Sequence, residues 1–171
     1  MKVHEEHKKK GPEIINIVLV IVSSTRKATT DKTIPLIKNL LEEHESVLLN
    51  ATEIVPDNKW EIKDVLDKFL TDKSIHAIIF SGGTGLTPKD ITYETIKPLL
   101  QKEITGFGEL FRYLSYREIG SAAMLSRATG GKIQDKAVFL LPGSPKAVEL
   151  AFKELIIPEI RHIVYMINKE E

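Results

Sequence analysis

Three glycines crowd into four positions in the segment Ser81-Gly82-Gly83-Thr84-Gly85, directly after an apolar run and shortly before Pro88. Glycine density of this kind permits positive φ angles and leaves backbone N–H groups uncovered, so Ser81, Gly82, Gly83, Thr84 and Gly85 could cradle a phosphate. The same residues would also make a tight strand-to-helix turn that binds nothing, and they fit neither G-x-x-x-x-G-K-[ST] nor G-x-G-x-x-G. Next stands Thr87-Pro88-Lys89-Asp90, where Thr87 reads as a helix N-cap, Pro88 as the first helical residue and Asp90 as the third, close to a capping box. Asp57, after Pro56, likewise reads as the cap of a following helix. Two carboxylates beside a phosphate site are also how proteins hold Mg²⁺, so Asp57 and Asp90 are equally candidate metal ligands. A third loop, Leu141-Pro142-Gly143-Ser144-Pro145-Lys146, offers Ser144 as an N-cap and Pro145 at the first helical position, which leaves free N–H groups and a positive helix end for an anion. Ser23-Ser24-Thr25-Arg26 adds hydroxyls and a cation, and Arg26, Lys89, Arg127 and Lys146 are candidate phosphate partners.

These loops need a scaffold, and hydrophobic periodicity supplies one. Residues 14–23 form a continuous β-branched run of the kind that is buried on both faces of a parallel sheet. Residues 47–52, 75–80 and 137–141 read as further strands. Helical periodicity runs from an Asp31 cap to about Glu43, through residues 58–70, and through much of 88–126 with breaks near Gly106, Gly108 and Gly120. Residues 147–166 close the chain as a helix bent or interrupted at Pro158. Strands alternating with helices predict an α/β fold, a doubly wound and mainly parallel sheet with helices on both faces. Ligands bind such sheets outside the carboxyl ends of the strands, which is where all the loops named above fall.

The 171 residues carry 24 basic and 24 acidic side chains, 42% apolar residues and no cysteine. That composition predicts one domain over residues 13–171 behind a charged, mobile tail at residues 1–12. It excludes disulfide scaffolds, cysteine-based zinc sites and thiol nucleophiles. A net charge of zero argues against nucleic-acid or anionic-membrane binding. The longest apolar run is too short to span a bilayer as a helix, and Glu13 and Val22-Ser23-Ser24 speak against a secretory leader. The predicted location is cytoplasmic. His4 and His7 are read as solvated rather than metal-binding, and Lys over Arg, Glu over Asp with abundant Ile is a thermophile-like profile. Trp60, Phe107, Phe111, Tyr113 and Tyr116 are assigned to core or subunit contact, because no basic stripe accompanies them as it would in a nucleic-acid stacking platform.

Taken in order, Ser81 to Thr92 (SGGTGLTPKDIT), Gly106-Phe107-Gly108-Glu109 and Leu141-Pro142-Gly143-Ser144-Pro145-Lys146-Ala147 resemble the molybdenum cofactor biosynthesis family MoaB/MogA, to which the G domain of gephyrin also belongs. The resemblance covers residues 14–166. It implies a molybdopterin-binding α/β domain, a homotrimer or hexamer, and a nucleotidyltransferase that adenylylates molybdopterin with ATP and Mg²⁺ in molybdenum or tungsten cofactor synthesis. It further implies hand-over of the product to a molybdenum-insertion protein. On this basis Gly82, Gly83 and Gly85 cradle nucleotide phosphate, Asp57 and Asp90 place the metal, Ser144 and its neighbours line the pterin side, and Lys89 or Lys146 compensates charge. A non-catalytic molybdopterin-binding or carrier protein is the alternative, and a related domain with another nucleotide-like ligand, as in competence-damage-inducible proteins, is a third. The first loop departs from the family pattern: Ser24 stands where an acidic residue is common, and Asp31-Lys32-Thr33-Ile34 where the family has D-x-S-G.

Overall fold

The fold is built on β1 (Ile15–Val22), whose side chains are apolar on both faces except at Asn16. Such a strand is stable only in the middle of a covered sheet. In the computed structural model, which describes residues 6 and 10–169, β1 lies between β2 (Val47–Val55) and β3 (Ala77–Ser81), parallel to both. β6 (Lys136–Leu141) continues the parallel set beside β3. β5 (Thr129–Ile133) and the two-residue β4 (Lys102–Glu103) then extend the sheet antiparallel, for an order β2-β1-β3-β6-β5-β4.

Alternate side chains of the central strands feed two cores. Ile17, Leu19, Ile79 and Phe139 pack against α1 (Thr33–Glu42), α4 (Thr105–Ile119) and the C-terminal helices. Val18, Val20, Phe80 and Leu140 pack against α2 (Lys59–Thr71) and, through Ile96, α3 (Thr92–Ile96). Each fully buried aliphatic side chain contributes roughly 1.5–3 kcal/mol relative to exposure, so these three strands form the rigid base of the molecule. β1 leads to β2 on one side and, later in the chain, β3 lies on its other side. The gap between the carboxyl ends of β1 and β3 is therefore the topological switch point at which doubly wound folds take ligands.

The structure departs from the sequence expectations in several places. β4 and β5 fall where helix and loop were expected. In β5 two glycines hide the strand pattern; a side chain at Gly130 would strike the Phe139 ring. α4 runs through Gly106 and Gly108 unbroken and ends at Gly120, whose φ is +64°. The final helical stretch is interrupted before Pro158: α5 (Pro145–Ala151) widens into a π-helical turn over Phe152–Ile156 and continues as α6 (Ile157–Asn168). A wider turn relieves the clash between a proline ring and the carbonyl four residues earlier. Within the segment expected to be a tail, Gly11 is buried against α6 and Arg161 Nε donates to the Pro12 carbonyl at 2.9 Å. His4 and His7 lie outside the described residues.

Candidate functional site

The glycine loop leaves β3 under tight steric control. Gly82 (φ +107°) and Gly83 (φ +64°) both adopt left-handed conformations that other residues avoid. A Cβ at Gly82 would collide with the Val22 carbonyl, and one at Gly83 with the Thr92 hydroxyl. The Gly82 N–H donates to the Leu141 carbonyl at 3.0 Å, and the Thr92 N–H to the Gly83 carbonyl at 2.8 Å, which pins the loop between β6 and α3. Among the described residues, nothing accepts a hydrogen bond from the N–H groups of Gly83 or Thr84. These are the loop's two uncommitted backbone donors, and a half-enclosed N–H without a partner invites an acceptor from a ligand.

Both aspartates depart from their expected capping roles. Asn58, not Asp57, caps α2, its Oδ1 accepting from the N–H groups of Trp60 (2.9 Å) and Glu61 (3.3 Å). Asp57 is thereby released to face the first loop, where its Oδ2 accepts from the Ser24 N–H at 2.8 Å and the Ser24 hydroxyl at 2.7 Å. Thr87 does not start a helix either, since α3 begins five residues later at Thr92. Thr87 to Asp90 is a reverse turn instead, in which Asp90 Oδ2 accepts from the Thr87 N–H (2.9 Å) and hydroxyl (2.6 Å). Partial burial alone would push the Asp90 carboxyl up. Hydrogen bonds from Thr87 and from the Gly85 N–H, with the Arg127 charge nearby, outweigh it and hold the group ionised, below the usual carboxylate range.

These elements enclose a cleft of about 380 Å³ lined by Asp57, Asp90, the loop from Gly82 to Gly85, Pro142, Gly143, Arg26 and Arg127. Two of the four candidate cations thus reach it; Lys89 is exposed on the Thr87 turn, and Lys146 faces elsewhere. Arg127 acts on the loop itself. Its Nε donates to the Thr84 carbonyl at 2.8 Å and its Nη2 to the Gly85 carbonyl at 2.6 Å, while both Nη atoms pair with Glu94 and the guanidinium lies 4.7 Å from the Tyr93 ring centroid. By taking these carbonyls, Arg127 fixes the peptide planes that follow Thr84 and Gly85, while the plane that carries the Thr84 N–H is held by the Thr92 N–H on the Gly83 carbonyl. Glu94 and Tyr93 were not singled out in the sequence; their position in the first turn of α3, opposite Arg127, is set only by the fold.

Ser81 is fully buried and donates to the Pro142 carbonyl at 3.2 Å, so it ties the second and third loops together rather than lining the cleft. Ser144 does stand at the N-cap of α5 with Pro145 following, though its hydroxyl makes no capping hydrogen bond. Ser144 and Lys146 line a second, more apolar cavity of about 290 Å³ with Phe111, Ile119, Ala122, Ala123 and Leu150. The two cavities share Ser126 and Pro142. Phe107 and Phe111 are core, whereas Tyr113, Tyr116, Leu110 and Ile119 form an exposed apolar face on α4.

Residues 11–162 match the family described as a probable molybdopterin binding domain. Molybdenum cofactor biosynthesis protein B of Bacillus subtilis is 46% identical over 168 residues, covering 98% of both chains. Among solved structures, a molybdenum cofactor biosynthesis protein B superposes with a TM-score of 0.87 at 43% identity, over 93% of this chain and 99% of that one. The tungsten cofactor synthesizing protein MoaB from Pyrococcus furiosus superposes with a TM-score of 0.80 at 37% identity, over 92% and 99%.

Proposed function

The chain belongs to the molybdopterin-binding domain family, and from that premise we propose that it is a molybdopterin adenylyltransferase of molybdenum or tungsten cofactor biosynthesis. The observation that carries this reading is the meeting of Asp57, Asp90 and the glycine loop in one cleft at the switch point. In the proposed reaction a terminal phosphate oxygen of molybdopterin bonds to the α-phosphorus of ATP while the bond to the β-phosphate oxygen breaks, so AMP is transferred and pyrophosphate leaves. The nucleophile comes from the substrate, consistent with a cleft lined by neither cysteine nor histidine. The protein's task is then positioning and neutralising crowded negative charge.

The donor set fits Mg²⁺. Asp57 and Asp90 present hard carboxylate oxygens, and both hydrogen bonds that the Asp57 carboxylate accepts fall on Oδ2. No group of three or more His, Asp or Glu that could cage a metal occurs among the described residues. An ion held by the two aspartates would therefore complete its shell with phosphate oxygens and water, as Mg²⁺ does in nucleotide sites. Such an ion would supply charge neutralisation at the phosphates. The N–H groups of Gly83 and Thr84 hold a phosphate oxygen, and Ser24 keeps Asp57 oriented. The neighbouring cavity at Ser144 and Lys146 suits the flat pterin, with Ser126 and Pro142 at the junction.

Incubation with molybdopterin, ATP and Mg²⁺ tests the reading: adenylylated product and one pyrophosphate per product are expected. Binding of molybdopterin without pyrophosphate release would instead assign the chain a carrier role. The apolar face of α4 at Leu110, Tyr113, Tyr116 and Ile119 supports assembly into a trimer or hexamer, which sedimentation at micromolar concentration reads directly. Hand-over to a metal-insertion protein and action in the cytoplasm complete the proposal; no described helix is long and apolar enough to cross a membrane.

A further inference from the structure

A cleft that receives several phosphates needs a cation able to touch them, and Arg127 is not available. Its Nε, Nη1 and Nη2 are bonded to the Thr84 and Gly85 carbonyls and to Glu94, and its charge is paired. Arg26 is in a different state. Its Nη2 donates to the Gly143 carbonyl at 2.6 Å and its Nη1 to Asp31 Oδ2 at 3.3 Å. A guanidinium has five N–H donors, so three remain unassigned. The Arg26 side chain is 32% exposed, while that of Asp31 is 0% exposed. Asp31 is itself immobilised: its Oδ1 accepts from the N–H groups of Thr33 and Ile34, each at 2.8 Å, at the start of α1. Arg26 is thus held at both terminal nitrogens, with the Nε–H and one further N–H on each Nη uncommitted. A Cβ built on Gly143 would lie 3.4 Å from the Gly82 Cα and 3.7 Å from Arg26 Nη2, so the guanidinium sits beside the glycine loop, across Gly143.

We propose that Arg26 binds the phosphoryl oxygens of the Mg-nucleotide brought to the glycine loop, with Asp31 and the Gly143 carbonyl as its positioning groups. The proposal rests on the phosphate-binding reading of the cleft given above. It assigns charge compensation to a side chain of the first loop, in place of Lys89 and Lys146. A planar fork already held on two sides loses little freedom on meeting a phosphate, which favours Arg over Lys at this position.

Calorimetric titration of the intact protein with inorganic pyrophosphate in Mg²⁺, for wild type, Arg26→Gln and Arg26→Lys, tests it, with melting curves to confirm that each variant is folded. Gln keeps a donor for Gly143 but removes the charge, so affinity should fall about tenfold to a hundredfold. Lys should recover part of that loss. A purely structural bridge between the loops would make both variants weaken alike, and wild-type affinity in Arg26→Gln would overturn the proposal outright. In turnover, Arg26→Gln should raise KM for ATP more than it lowers kcat. Wild-type KM for ATP in an Arg26→Gln enzyme that still adenylylates molybdopterin would sink the Arg26 assignment alone. If wild type neither binds pyrophosphate nor forms product, the Arg26 assignment and the adenylyltransferase reading both fall.

Discussion

The two ends of the parallel sheet each carry a cavity, and the larger one is at the end away from the glycine loop. At the amino ends of the strands a cavity of about 690 Å³ is lined by His76, Lys73, Asp135 and Asn168. Most polar groups there are engaged with the scaffold, the exception being Asp135 Oδ1, buried without a hydrogen bond among the described residues at 3.7 Å from Lys136 Nζ. Lys136, 1% exposed, donates from Nζ to the carbonyls of Asp72 and Ile75, each at 2.8 Å. His76 Nδ1 accepts the Asn16 N–H at 3.0 Å, and Asn16 Nδ2 donates to the Ser74 carbonyl at 2.9 Å. At the carboxyl ends the cavity is smaller, yet two backbone N–H groups, the two aspartates and the Arg26 guanidinium retain bonding capacity. Several unused donors and acceptors next to glycine make a better candidate ligand site than volume does, because unpartnered polar groups favour an added partner.

Substitutions that separate the two ends sharpen this contrast. The largest effect is expected from Asp57→Asn and Asp90→Asn, each of which should lower adenylyl transfer on the order of a hundredfold to a thousandfold while shifting melting little. Normal turnover in Asp90→Asn would return that residue to a turn-forming role with Thr87. At the other end, Lys136→Met leaves the buried Ile75 carbonyl without its lysine donor, while the Asp72 carbonyl keeps the Ile75 N–H, and should cost about 1–3 kcal/mol, lowering Tm, while the folded fraction still binds pyrophosphate as wild type does. Loss of pyrophosphate affinity in that variant would break the separation between the ends.

A smaller effect comes from His76. Burial, and next the Lys136 charge, hold its pKa below the ordinary histidine value, with Asp135 pulling the other way. The unfolded chain therefore takes up a proton that the folded chain resists. Stability should be fully present above about pH 6.5 and decline as pH falls below that value toward the lower folded pKa. In His76→Asn, whose Oδ1 can accept the Asn16 N–H, this part of the pH dependence should vanish. Equal slopes of Tm against pH for the two proteins between pH 7 and 5.5 would remove His76 as its source.

The central strands were legible because burial on both faces forces unbroken apolar runs, as in Ile15 to Val22 and in Ala137 to Leu141. β5 was not, because Thr129-Gly130-Gly131-Lys132-Ile133 owes its pairing to β6 and to the fit of Gly130 under Phe139, a contact invisible in periodicity. Asp57 and Asp90 were candidates from the sequence, with capping held open for each. Asn58, adjacent to Asp57, took the cap and freed it, and whether a neighbour wins that competition depends on the φ and ψ angles at the helix entry.

Composition and spacing by themselves determined an α/β sheet, the loops that would meet at its carboxyl edge, and the residue types available for phosphate and metal. Only the tertiary structure decided which cations face that edge. Lys89, Arg26, Arg127 and Lys146 look alike as sequence, since a charge is local while its partners are 5 to 117 residues away: Asp31 and Gly143 for Arg26, Thr84, Gly85 and Glu94 for Arg127. Long side chains take their function from what holds them, and what holds them is assembled only when distant strands pair.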